Sequence, residues 1–240
     1  MATTTPEAAT VAEITQKAGL PTLHHLDHSQ SQRMIWLLEE LGIEYNLVKY
    51  KRIDNRAPPE LAKIHQLGKA PILVTADGRP IIETSAIVSY LLKTYDRDGL
   101  FATDDWLREE MLNSFAGSSL GPVTGIALLT ELLPKHSPWP ISIIMRMVHG
   151  TVQKTYTNGE FTKAMKFLDS ELGDKEWFNG ENLGKSDVIL SWPLDMIVQR
   201  GWVDLEGDWP RLAAWRKRIL QRDAWKRGME KGNGYDLKVW

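Results

Sequence analysis

Three short segments carry side chains whose types and spacing could do chemistry. Asp27-His28-Ser29-Gln30-Ser31-Gln32-Arg33 lies between an apolar run and a helical stripe. A hydroxyl at the end of a strand, facing the first turn of a helix, can donate to a bound thiolate or other anion, because the helix dipole and free amides favour negative charge. Asp, His and Ser in sequence suggest a nucleophilic triad, but triad members meet in space rather than along the chain; the plain alternative is a serine that caps the helix. In "HQLGKAPIL", His65 to Leu73, Pro71 cannot donate to a sheet ladder and belongs at the first position of a strand. A cis Ala70-Pro71 bond there would let Ala70 offer its amide and carbonyl to a peptide-like ligand; a trans proline would merely start the strand. In "IIETSAIVSYL", Thr84 begins a helix, where its oxygen can cap amides or share an anion site with them, and Glu83 could accept a ligand ammonium group. His24 and His25 point to opposite faces of a strand and make a poor metal pair, so no metal site is expected.

The elements that must position these residues follow from periodicity. Met34, Leu37, Leu38 and Leu41 recur at i, i+3, i+4 and i+7 with Gly42 as the stop, which is one face of a helix. "EYNLVKY" alternates as a strand, Arg56 to Gln66 is a loop or short helix, and "APILV" and "PIIE" flank an Asp77-Gly78 hairpin signal. Val88, Leu91, Leu92 and Tyr95 form the next helix stripe. The order β-α-β-loop-β-β-α predicts one mixed sheet with helices packed on it over residues 22–96. Beyond a linker at 97–104 the strand signals vanish, and apolar helical stripes over 106–133, 140–172, 186–199 and 209–228 predict an all-α domain over 105–240. Residues 1–21 read as a flexible arm.

Composition narrows the function. The 240 residues hold 29 basic and 31 acidic side chains, without a basic block for nucleic acid. No cysteine is present, which removes disulfides, zinc-thiolate sites and cysteine nucleophiles. The longest uncharged run, Asn113 to Thr130, contains Ser118, Ser119, Gly121, Pro122 and Gly125 and is a poor membrane span. The start of the chain lacks a secretory or transit pattern. A cytoplasmic protein with a small-molecule partner is expected.

Together, "GKAPIL", "ETSAIVSYL" and "WPRLAAWRKRILQRDAWKRGM", in this order and spacing, resemble a cytosolic glutathione transferase from about Thr22 to Lys231. "LDHSQSQRMIWLLEELGIEY" with "RAPPELAKIHQLGKAPIL" resembles the fungal and bacterial Gtt-type branch. The resemblance implies a thioredoxin-like N-terminal domain that binds glutathione as co-substrate, an all-helical C-terminal domain that walls the electrophile pocket, and a homodimer. It implies that Ser29, four residues before Arg33, is the catalytic hydroxyl, with Ser31 in reserve. Ala70 and Pro71 would pair with the cysteinyl backbone of glutathione, Glu83 and Thr84 would hold its γ-glutamyl end, and Lys69 with His65 would face the glycine carboxylate. The chain departs from the family at His65-Gln66, where Asn-Pro or His-Pro is usual, at Thr84, where serine is usual, and at Gly184, where "LGKSDV" lacks the hydroxyl of a Ser/Thr-x-x-Asp capping box. Asp187 can still reach the cap amide, Leu183 can staple to Val188, and Pro193 should break the bond to the Ile189 carbonyl.

The implied chemistry is activation of the glutathione thiol as thiolate, followed by conjugation to small hydrophobic electrophiles or by peroxide reduction. Arg108, Met111, Leu112 and Phe115, on one stripe of the first C-terminal helix, are the expected electrophile pocket; the same stripe would also pack a bundle. The absence of cysteine excludes a thiol-transferase route through a mixed disulfide on the protein. Two other readings share the fold: a non-catalytic glutathione-binding regulatory protein, and a ligandin-like carrier using the tryptophan-rich helical half. The final "GYDLKVW" either folds over the cleft with Trp240 or dangles.

Overall fold

The structure, a computed structural model, describes residues 17–239. Most of the expected N-terminal arm (residues 1–16) and Trp240 lie outside the described residues. The end of the arm is tied down rather than loose: the Lys17 amide donates to Asn46 Oδ1, and Pro21 O accepts from the Asn46 amide.

The N-terminal half carries strands β1 (Thr22–Leu26), β2 (Asn46–Tyr50), β3 (Ile72–Val74) and β4 (Pro80–Ile81), with helices α1 (Gln32–Glu40), α2 (Leu61–Ile64) and α3 (Thr84–Tyr95). The sheet order is β2-β1-β3-β4, with β1 parallel to β2 and antiparallel to β3, and β3 antiparallel to β4. This is the mixed sheet expected from the strand-helix-strand unit and the Asp77-Gly78 turn, in the thioredoxin-like arrangement that the resemblance implied. Gly78 sits at φ +88°, where only glycine is unstrained. β1 is central and every residue in it is buried. Both histidines of the strand find a partner for Nδ1 inside the protein: His24 Nδ1 lies 2.9 Å from the Tyr50 hydroxyl and His25 Nδ1 lies 2.7 Å from Ser31 Oγ.

The C-terminal half is helical. α4 (Trp106–Ser114) and α5 (Gly121–Leu132) are joined by a π-helical stretch, Phe115–Leu120, and α6 (Ile141–Val152) and α7 (Asn158–Leu172) by another, Gln153–Thr157. α8 (Lys185–Gln199) runs through the middle, followed by α9 (Leu205–Asp208), α10 (Pro210–Gln221) and α11 (Asp223–Lys231). α11 returns to the first domain and packs on α1. Arg222 pairs with Glu40, while Arg227 and Lys231 converge on Glu39 together with the Tyr45 hydroxyl. Burial alone would raise the Glu39 pKa, but these donors hold it below the usual carboxylate value.

The N-terminus of α8 explains the missing hydroxyl in its capping box. Asp187 Oδ2 accepts from the Gly184 amide at 2.8 Å, and Oδ1 accepts from the Phe178 amide and the Trp215 indole at 3.0 and 2.7 Å. Burial nevertheless pushes the Asp187 carboxyl up to about 6, against the opposing pull of those donors. A Cβ at residue 184 would sit 2.5 Å from the Asn179 Cβ, so the close approach of the Trp177–Asn182 turn requires glycine where a serine would complete the box. Leu183 and Val188 both enter the main core, as a hydrophobic staple requires. Gly184→Ser should therefore lower the unfolding free energy by about 1–3 kcal/mol in urea denaturation, whereas capping propensity alone predicts little loss or a gain; a more stable variant would show that Asn179 yields.

Candidate functional site

A cavity of about 310 Å³ lies between the domains, in the cleft formed by the β1–α1 turn, the loop before β3, the start of α3, the α4–α5 junction and the middle of α8. Lys69, Ala70, Pro71, Glu83 and Thr84 all line it, so residues far apart in sequence that were expected to bind one ligand meet in one wall. The Ala70-Pro71 bond is cis, which resolves the sequence alternatives at β3. Glu83 occupies φ +66°, a costly conformation for a residue with a Cβ and one that concentrates at ligand sites. Thr84 does not cap its own helix. Its hydroxyl donates to Gln30 Oε1 and accepts from Arg33, both at 3.2 Å, which ties the start of α3 to the β1–α1 turn.

Arg33 is the centre of this arrangement. Its side chain is buried, its Nη1 donates to the Ile189 carbonyl, and its Nη2 donates to Gln30 Oε1 at 2.7 Å and to Thr84. The guanidinium lies 5.8 Å from the centre of the Trp192 ring. Ile189 O is available because Pro193, four residues on, has no N–H to return to it. Burial lowers the arginine pKa to about 10, with Tyr235 opposing, so the group remains a cation at neutral pH. No carboxylate among the described residues pairs with it. A buried, charged group of this kind favours an anion in the space beside it.

The expected catalytic serines are placed differently. Ser29 and Ser31 are buried behind the turn and line no part of the cavity. Their hydroxyls lie 2.7 Å apart; Ser29 Oγ is also 2.7 Å from Leu26 O, and Ser31 Oγ accepts from the Leu26 amide. Ser31 also meets His25, whose pKa burial lowers to about 4, so the ring is neutral. Each hydroxyl has one proton, and both protons serve this internal network. The intervening residue, Gln30, is the one the turn presents to the cavity. His28, at φ +48°, turns the chain away from β1; its amide donates to Gly234 O and its Nδ1 accepts from the Asp236 amide. Asp27 instead accepts from the Arg52 amide, so Asp27, His28 and Ser29 form no triad. The segment after α11 as far as Val239 thus packs against the back of the turn, with Leu237 fully buried, and lines no part of the cleft, while the lid expected of Trp240 lies outside the described residues.

His65 is likewise not in the wall: its Nδ1 accepts from the Leu67 amide, and Leu67 faces the cavity instead. The stripe expected for the electrophile lines no part of this cavity either. Arg108 is held by Glu171 and the Phe178 carbonyl, Met111 is 44% exposed, Leu112 is core, and Phe115 packs on Phe167 with ring centres 4.7 Å apart. The cavity is met by the adjoining face, Asn113, Ala116 and Gly117, with Trp192 from α8. An asparagine followed by two small residues within an uncharged run was the available sequence signal.

Family models for the glutathione S-transferase N-terminal and C-terminal domains match residues 19–93 and 134–223. The chain is 31% identical over 220 residues to glutathione S-transferase 1 of Saccharomyces cerevisiae, covering 87% of this chain and 94% of that protein. It is 29% identical over 212 residues to glutathione S-transferase 3 of Schizosaccharomyces pombe, covering 87% and 86%. A solved glutathione S-transferase from Actinobacillus pleuropneumoniae superposes with a TM-score of 0.74 at 30% identity, covering 92% of this chain and 97% of that one. A Phanerochaete chrysosporium glutathione transferase solved with oxidized glutathione shares the fold, with a TM-score of 0.71 at 24% identity and coverage of 92% and 96%. Because three protein oxygens and an indole face hold one planar cation, Arg33→Lys should cost about 2 kcal/mol or more in urea denaturation, since an ammonium cannot reproduce the fork. An unchanged midpoint and slope would remove Arg33 from its place as the interdomain link.

Proposed function

Since the chain belongs to the glutathione S-transferase family, we propose that the interdomain cavity binds glutathione, holds its thiol as thiolate and directs it at a small electrophile. The observation that carries this reading is the buried Arg33 cation without a carboxylate partner among the described residues, in a wall shared with cis-Pro71 and the Glu83-Thr84 pair. The Ala70 amide and carbonyl would pair with the cysteinyl backbone, Glu83 would accept the γ-glutamyl ammonium group with Thr84 at the same end, and Lys69 would face the glycine carboxylate. His65 lies outside the wall and is left out of this set.

Free glutathione thiol, with a pKa near 8.5, is only a few per cent thiolate at neutral pH. Lowering that pKa by about two units requires about 2.7 kcal/mol, which one charge-assisted hydrogen bond and a nearby buried cation can supply. Gln30 is the donor proposed here. Its Oε1 accepts from Arg33 and Thr84, which leaves its amide N–H groups for sulfur, and Arg33 adds positive potential behind it. Ser29 is assigned a positioning role: its hydroxyl closes the turn that presents Gln30. Ionisation accounts for some tens-fold in rate, and the larger share of acceleration comes from holding the electrophile beside sulfur. The same thiolate can reduce a hydroperoxide, with a second glutathione leaving as part of the disulfide.

Steady-state conjugation of an activated aryl halide tests the assignment. Gln30→Leu should lower kcat/KM by about tenfold or more, the equivalent of one lost transition-state hydrogen bond, while Ser29→Ala lowers it less. The reverse order would return sulfur contact to Ser29, and glutathione binding by the parent without turnover would leave a binding protein in place of a transferase.

A further inference from the structure

The electrophile side of the cavity carries polar groups whose hydrogen-bonding capacity is unused. Both amide atoms of Asn113 and the indole Nε1 of Trp192 are buried without a partner among the described residues, and both residues line the cavity. Nε of Arg33, in the same wall, is in the same condition. Buried polar atoms in folded proteins are nearly always paired, and each exception calls for a cause. A cluster of exceptions around one cavity points to a ligand.

The composition of the cluster says which kind of ligand. Asn113 contributes two N–H donors and one acceptor, and Trp192 contributes one N–H donor, so the subsite is richer in donors than in acceptors. We assign it to the second substrate, because Asn113 stands on α4 and Trp192 on α8, in the helical half, whereas the Ala70-Pro71 and Glu83-Thr84 elements proposed for glutathione belong to the sheet half; Trp192 also backs Arg33, between the two. A Cβ at Gly117 would meet nothing within 4 Å, so the wall beside Asn113 is open. Asn113 is 3% exposed, and the broad terminal torsion of a carboxamide allows it to turn toward an incoming oxygen.

We propose that Asn113 and Trp192 form a hydrogen-bonding subsite that selects electrophiles bearing a carbonyl oxygen conjugated to the reacting carbon. This rests on the glutathione reading above. The thiolate adds to the β-carbon of the enone: the S–C bond forms, and the C=C π pair moves to the α-carbon and carbonyl oxygen as an enolate. The α-carbon then takes a proton from water, replacing the proton that the thiol released to solvent. The two side chains donate to the oxygen as its charge grows, which is where fixed donors accelerate a reaction most. An alkyl halide of the same size has no such oxygen and draws nothing from the subsite.

Isothermal calorimetry with two product-like ligands tests this: the glutathione conjugate of methyl vinyl ketone, and S-butylglutathione, which has the same carbon chain without the carbonyl. The parent should bind the ketone conjugate about tenfold more tightly, one satisfied hydrogen bond on the scale of about 1.4 kcal/mol per decade. In Asn113→Leu the preference should fall to within about twofold while S-butylglutathione affinity changes by less than about threefold; Trp192→Phe should reduce it in part. Equal binding of the two conjugates by the parent overturns the subsite and leaves the glutathione reading standing. A preference that survives both substitutions also overturns it. Failure of the parent to bind glutathione or either conjugate overturns both readings. If Asn113→Leu does not fold, the parent ratio and Trp192→Phe still decide.

Discussion

Arg33 is the constraint on which the cleft depends. A guanidinium taken out of water needs partners for its donors, and here the partners of Nη1 and Nη2 each come from a different element: Gln30 from the β1–α1 turn, Thr84 from the start of α3, and Ile189 from α8. The third of these exists because Pro193 leaves one helical carbonyl without its usual donor. One cation thereby fixes the distance between the thioredoxin-like sheet and the central helix of the second domain, and that gap is the cavity. The α1–α11 ion pairs reinforce the same junction from the other side, where Glu39 and Glu40 are buried and their basic partners partly exposed.

The same geometry accounts for the chemistry proposed. Preorganised donors and a fixed positive charge stabilise an anion without reorganising at the moment of reaction, and the β1–α1 turn is held on both of its faces. In front, Gln30 is locked to Arg33 and Thr84. Behind, the Ser29–Ser31–His25 network and the segment from Asn233 to Leu237 close over it. Tyr235 of that segment donates to Asp195, which Arg216 also pairs, and burial raises the pKa of both acids despite the opposing arginine at Asp195. The tail is part of the scaffold that sets the direction of Gln30.

The architecture was legible because its signals are periodic or stereochemical. The short apolar run before the helix gave β1, period-two alternation gave β2, the i, i+3, i+4 stripe gave α1, and Asp77-Gly78 gave the β3–β4 turn. Pro71 and the Glu83-Thr84 pair, picked out because proline and a helix start restrict what the backbone can do, stand in the cavity wall. Pro193 foretold a free Ile189 carbonyl, though not the guanidinium that takes it. That Gln30 rather than Ser29 or Ser31 faces the cavity was not legible, because a turn of seven polar residues has no period to say which side chain faces outward; the φ +48° at His28 and the tail packed behind it decide that, and both are tertiary. The cavity-facing side of α4 was not legible for a related reason. Apolar periodicity identified the core side, Leu112 and Phe115, whereas the cavity side is marked by Asn113, Ala116 and Gly117 at the entry to a π-helical stretch. Gly184 was read as a weak cap, and steric contact with Asn179 supplies its cause.

Whether this cavity favours the thiolate of glutathione is read most simply from the thiolate absorbance of protein-bound glutathione as a function of pH. The bound thiol should ionise at least about one pH unit below the free value of about 8.5, because a fixed donor and a buried cation favour the anion. A bound thiol that ionises at the free value would contradict that expectation.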